Sequence, residues 1–92
     1  MYTMLKDIIC TPSVSGREYA VAEKLKGYIA PLTDECYTDA LGNLIAVKYG
    51  KGENKKKIML CAHMDEIGFL ATYIEDNGFI RIAPVGGINY VA

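Results

Sequence analysis

One histidine and two acidic residues lie close together in the stretch His63-Met64-Asp65-Glu66, and His63 is the only histidine of the chain. A neutral imidazole is a good metal ligand when one ring nitrogen presents its lone pair and the other donates its N–H to a fixed acceptor. On an extended backbone, side chains two residues apart lie on the same side. The spacing therefore suits His63 as a metal ligand and Asp65 as the carboxylate that orients it. A surface histidine beside solvated carboxylates is the alternative, and it is the commoner origin of so short a pattern.

The apolar run Ile58–Ala62 directly precedes this group. A short apolar run that follows lysines and ends at polar residues predicts a buried strand. In open α/β sheets, reactive side chains gather beyond the carboxyl ends of the strands, where the core ends and a crevice begins. We therefore expect His63 and Asp65 at the end of a central strand, facing a cleft.

Four ordered stretches resemble metallopeptidase family 42, the co-catalytic two-metal aminopeptidases. This family includes glutamyl, deblocking and tetrahedral aminopeptidases, and some members carry endoglucanase or cellulase labels. The stretches are Pro12-Ser-Val-Ser-Gly-Arg-Glu18, Asp39-Ala-Leu-Gly-Asn-Leu44, Ala62-His-Met-Asp-Glu-Ile-Gly68, and Gly78-Phe-Ile-Arg81 with Val85-Gly-Gly87.

The resemblance implies an α/β fold with a mixed sheet flanked by helices, part of a two-metal catalytic domain. It implies that N-terminal residues are removed from peptides with the help of two zinc or cobalt ions. His63 would be a metal ligand, and Asp65 would be the catalytic residue that orients it. Glu66 belongs to the motif, but we assign it no chemistry.

The same resemblance places the remaining ligands later in the family's sequence than this chain extends. A bridged pair of metal ions needs a bridging carboxylate, further ligands on each ion and a general base. We therefore expect residues 1–92 to form one partial domain that is inactive alone. The family's inserted dimerisation domain would begin within residues 70–92, and the family resemblance implies a homo-oligomer.

Composition limits the other functions. The 92 residues suffice for one small domain, and the net charge of −1 gives no support for binding nucleic acid or an anionic membrane. Three widely spaced cysteines, Cys10, Cys36 and Cys61, favour reduced thiols and a cytoplasmic protein. Two rivals follow: a non-catalytic α/β module that self-associates or binds a partner through an open sheet edge, and a site formed by Cys61 and His63.

Local patterns predict the elements that position these residues. Apolar spacing indicates a helix over 3–10, and Ser15 with Glu18 has the pattern of a capping box at the start of a helix ending near residue 29. A turn is expected at 50–56, and Asn77-Gly78 predicts a type I′ hairpin. Pro84 should end the strand that follows. Besides 58–62, strands are predicted over 35–39, 44–49, 67–74 and 79–83.

Overall fold

The computed structural model describes residues 1–54 and 56–89, which form helices followed by two β-hairpins. Strands β1 and β2 pair antiparallel, as do β3 and β4, and an isolated parallel bridge joins Val14 to Glu66. The predicted α/β class is confirmed, with both senses of strand pairing present. The elements are α1 (Tyr2–Ile9), α2 (Tyr19–Ile29), a 3-10 turn (Ala30–Leu32), β1 (Glu35–Thr38), β2 (Leu44–Val47), β3 (Gly68–Ile74) and β4 (Ile80–Val85).

Both hairpins use the same turn. The amide of Gly42 donates to the Asp39 carbonyl (3.1 Å), and the amide of Gly78 donates to the Glu75 carbonyl (2.9 Å). Each glycine has φ near +88°, whereas every described residue other than glycine has negative φ. This is a type I turn followed by a left-handed glycine, so the type I′ prediction at Asn77 is wrong. The loop is one residue longer than expected, and glycine alone takes the positive φ.

Strand β4 continues through Pro84, which pairs with Phe69, and ends at Val85. The prediction that Pro84 ends this strand is therefore wrong. Within the described residues β4 pairs with β3 alone, and an edge strand tolerates a proline because the missing N–H would face outward.

The predicted central strand is also wrong: residues 58–62 form no strand. Ile58, Met59 and Leu60 are more than four-fifths exposed. A strand needs a neighbour for its N–H and C=O groups, and the described residues supply none for this run. The predicted turn at 50–56 includes Lys55, which lies outside the described residues.

Helix α2 carries the best-buried apolar residues, Val21 and Ala22. Asp7 of α1 accepts hydrogen bonds from Lys24 Nζ (2.6 Å) and Tyr28 Oη (2.8 Å) of α2, and these bonds join the two helices. None of the described helices is long and apolar enough to cross a bilayer. All three cysteines are free thiols.

The chain is extended, with dimensions of 68 × 29 × 24 Å and a radius of gyration of 18.3 Å. A compact domain of this length would have a radius of about 12 Å. Leu70, Ile74 and Ile82 of the second hairpin are all more than half exposed. Exposed apolar side chains in such number are typical of surfaces that another part of a protein or a partner covers.

Acid should weaken the contact between α1 and α2 through Asp7. The Lys24 and Tyr28 hydrogen bonds hold the pKa of Asp7 below its ordinary value. The contact therefore stabilises the fold above the unfolded pKa of about 3.9 and is lost as the pH falls through the lower folded value. We expect Asp7→Asn to lower the unfolding free energy at pH 7 but to match the wild type at the lowest pH.

Urea unfolding followed by circular dichroism at several pH values measures this difference. Asp76→Asn, in the exposed second turn, is the matched control. The role of the Asp7 charge would be contradicted if the difference in unfolding free energy between wild type and Asp7→Asn stayed constant with pH.

Candidate functional site

The imidazole of His63 is held by Asp65. Its Nδ1 lies 2.9 Å from Asp65 Oδ1 and 3.0 Å from the Asp65 backbone oxygen. Both oxygens are acceptors, so Nδ1 carries the proton and the neutral ring has its lone pair on Nε2. The His63 side chain is 85% exposed, so its ring faces solvent and not a core. The two residues have the mutual geometry that their spacing suggested.

Asp65 has a second partner, Ser15, whose hydroxyl donates to Asp65 Oδ2 at 2.6 Å. The capping-box prediction for Ser15 is therefore wrong. Helix α2 begins at Tyr19 with Glu18 at the N-cap and no side-chain cap, and Glu18 Oε1 instead accepts from the Gly16 amide (2.6 Å). Helix α2 begins four residues after Ser15, so the Ser15 oxygen is not at the N-cap position. Its hydroxyl instead donates to the Asp65 carboxylate, and a charged acceptor makes this a strong hydrogen bond.

The backbone around Ser15 lies directly against the backbone around Asp65. The Glu66 amide donates to the Ser13 carbonyl (2.9 Å), and the Ser13 amide donates to Glu66 Oε1 (3.1 Å). Val14 forms the parallel bridge to Glu66. Glu66 thus has a structural task that its place in the motif did not reveal: it fixes the register of the two segments.

Gly68 allows this close approach. A Cβ atom built on Gly68 would lie 2.5 Å from Val14 Cγ2 and 3.0 Å from Val14 Cγ1, closer than side chains can pack. Only glycine leaves room for Val14 here. We call the contact of residues 13–15 with residues 65–68 the clamp.

The charge of Asp65 is stabilised where it lies. The Ser15 hydroxyl, and next the His63 ring, hold the pKa of Asp65 below its ordinary value. A carboxylate that accepts two hydrogen bonds stays ionised and acceptor-only at neutral pH. This is the protonation state that keeps the His63 proton on Nδ1.

A shallow cleft lies beside His63, as expected, although no strand leads to it. The turn between β1 and β2 forms part of its wall. The lining residues are Glu18, Leu41, Gly42, Asn43, Ala62, His63, Met64 and Asp65.

The described residues fit part of a metal site. His63 has the donor chemistry of a ligand, with its free nitrogen exposed and the other nitrogen bonded to a carboxylate. No group of three His, Cys, Asp or Glu side chains that could hold a metal ion occurs in residues 1–54 and 56–89. A metal ion here would need ligands from outside this part of the chain.

Sequence reasoning missed Ser15 and Glu66 as parts of this site. Ser15 is 50 residues from Asp65, and its local pattern matched a helix cap. The glycine at position 68 was the available clue, since a glycine inside a strand often marks a close backbone approach.

These features define a partial α/β domain with a carboxylate-oriented histidine beside a cleft. The chain belongs to the M42 glutamyl aminopeptidase family, whose sequence model matches residues 42–92. This confirms the resemblance inferred from the motifs.

Known proteins match nearly all of the chain. A putative aminopeptidase of Acetivibrio thermocellus is 49% identical over 97% of this chain and 26% of its own length. The crystal structure of an endoglucanase from Thermotoga maritima gives a TM-score of 0.79 at 46% identity, covering 91% of this chain and 27% of that one. A TET aminopeptidase from a Thaumarchaeota archaeon gives 0.78 at 29% identity, covering 94% and 24%. The chain thus spans about a quarter of the length of these relatives.

The clamp should fail if Gly68 acquires a side chain. We expect Gly68→Ala to destabilise the chain by about 1–3 kcal/mol, because the added methyl group displaces Val14. The Glu66 amide should then lose its protection against hydrogen exchange, measured by NMR.

Gly27→Ala is the matched control, because nothing lies within 4 Å of a Cβ built there and α2 should gain helix propensity. Undiminished protection of the Glu66 amide in Gly68→Ala would contradict the clamp.

Proposed function

We propose that this chain is the N-terminal segment of the catalytic domain of an M42 aminopeptidase, which removes N-terminal residues from peptides. The observation that carries the proposal is the 2.9 Å contact between His63 Nδ1 and Asp65 Oδ1 on an exposed side chain, which leaves Nε2 as the nitrogen for a metal ion. Family membership supplies the reaction class.

His63 acts as ligand to one metal ion, and Asp65 is the residue that fixes its tautomer and ring orientation. Two zinc or cobalt ions, when bound, polarise the scissile carbonyl and lower the pKa of the attacking water. An ionised Asp65 also raises the basicity of the imidazole, which strengthens it as a ligand.

The remaining ligands and the general base come from a part of the protein beyond these residues. One imidazole is insufficient for a two-metal site, and the relatives are about four times as long as the segment they share with this chain. We propose that residues 1–92 form one partial domain and that an inserted dimerisation domain begins within 70–92. Residues 90–92 of that interval lie outside the described part.

The exposed run at Ile58–Leu60 and the open edges of the hairpins fit this proposal, because a longer protein would supply neighbours for them. They also fit the rival, a non-catalytic module that self-associates through an open edge. We propose a homo-oligomer in the cytoplasm; the TET aminopeptidase that the chain resembles is the support for assembly.

The 92 residues alone should show no peptidase activity. Amino-acid p-nitroanilides incubated with the purified chain and added zinc or cobalt test this directly. We expect no turnover, since the ligand set is incomplete. Clear metal-dependent turnover would contradict the proposal.

A chimaera tests the roles of the two site residues. Replacing the matched segment of the Acetivibrio thermocellus relative by this chain should give a protein with metal-dependent activity, because the two segments are 49% identical. In that chimaera His63→Ala should abolish activity, and Asp65→Ala should lower metal affinity or activity about 10–100-fold. Lys57→Ala, just outside the motif, is the control. Full activity of His63→Ala would contradict a ligand role.

The isolated chain should self-associate through its uncovered apolar run. Leu60 is 93% exposed, and Leu60→Lys should shift the chain towards monomer, because charge blocks apolar association and strand pairing. Size-exclusion chromatography with light scattering measures the mass.

Leu32→Lys, which changes an exposed leucine after α2, is the matched control. A wild-type chain that stays monomeric over a wide concentration range would contradict the prediction.

A further inference from the structure

The orientation of the His63 ring rests on few contacts. The side chain is 85% exposed, so packing contributes little to holding it. Both contacts seen at Nδ1 come from one residue, Asp65. Whatever fixes the Asp65 carboxylate therefore fixes the ring as well.

The carboxylate itself is fixed at both oxygens. Oδ1 accepts a hydrogen bond from His63 Nδ1 (2.9 Å), and Oδ2 accepts one from the Ser15 hydroxyl (2.6 Å). The terminal torsion of an aspartate is broad, so a carboxylate bonded at one oxygen can swing. A second hydrogen bond at the opposite oxygen removes that freedom.

Ser15 is in turn anchored by the clamp. It follows Val14, which bridges to Glu66 and packs against Gly68, and it precedes Gly16 in a turn closed by the bond from the Arg17 amide to the Val14 carbonyl (2.8 Å). Gly16 has φ of +84°, as the third position of a type II turn requires. The hydroxyl therefore reaches Asp65 from a hydrogen-bonded turn that lies directly against residues 65–68.

We propose that Ser15 is a positioning residue of the site: it locks the Asp65 carboxylate so that His63 keeps its proton on Nδ1 and its lone pair on Nε2. The functional importance of this positioning rests on the proposed role of His63 as a metal ligand. The positioning itself needs no metal ion. Ser15 acts through Asp65.

The tautomer of His63 is the direct readout. Long-range ¹H–¹⁵N correlation spectra of the metal-free chain, recorded where the ring is neutral, separate the Nδ1–H and Nε2–H forms. We expect the wild type to be mainly Nδ1–H. Ser15→Ala should shift the ring towards the Nε2–H form favoured by a free imidazole, and Ser15→Thr, which keeps the hydroxyl, should restore the wild-type spectrum.

Thr72→Val is the matched control, because it removes a hydroxyl that donates to the Arg81 carbonyl within the second hairpin. The amide signals of α2 report whether each variant is folded. A wild type already in the free-imidazole mixture overturns the proposal, as does a Ser15→Ala chain with unchanged tautomer. Three other results also overturn it. They are an equal tautomer shift in Thr72→Val, a Ser15→Thr spectrum like that of Ser15→Ala, and a loss of the α2 signals in Ser15→Ala.

The outcome of this experiment is independent of whether the proposed function is correct. A shifted tautomer in Ser15→Ala supports the positioning role even if the chimaera proves inactive. An active chimaera with an unshifted tautomer leaves the aminopeptidase proposal standing and removes Ser15 from the site.

Discussion

The site depends on the contact between two short segments that are 50 residues apart, the clamp of residues 13–15 on residues 65–68. One parallel bridge, two hydrogen bonds between Ser13 and Glu66, and the bond from Ser15 to Asp65 join them. The buried pair Val21 and Ala22 lies on the helix that follows the first segment. The clamp thus connects the ordered helical part of the chain to the exposed histidine, and it gives that histidine a defined orientation without burying it.

The sequence predicts those elements and contacts that depend on residues close together in the chain. The two helices follow from apolar spacing, and both hairpins follow from glycine-containing turns between apolar segments. His63 and Asp65 are two residues apart, so their contact needed no knowledge of the fold. Ser15 was assigned to a helix cap because its true partner is remote in sequence, and no local pattern identifies such a partner.

The failed strand prediction at Ile58–Ala62 has a different cause. Its apolar composition is typical of a buried strand, but burial requires neighbours, and the described residues offer none. The elongated shape and the open hairpin surfaces have the same origin. The proposal that the chain is a segment of a longer catalytic domain explains these features together, because the rest of such a domain would supply the neighbours; the relatives' roughly fourfold length supports it.

The most direct test of the clamp is an NMR search for nuclear Overhauser contacts between the Val14 methyl groups and the Gly68 α-protons. The space that a Cβ on Gly68 would need is occupied by Val14 Cγ2, so strong contacts are predicted in the wild-type chain. Their absence from a chain whose α2 signals show it to be folded would contradict the clamp and, with it, the positioning of Asp65 and His63.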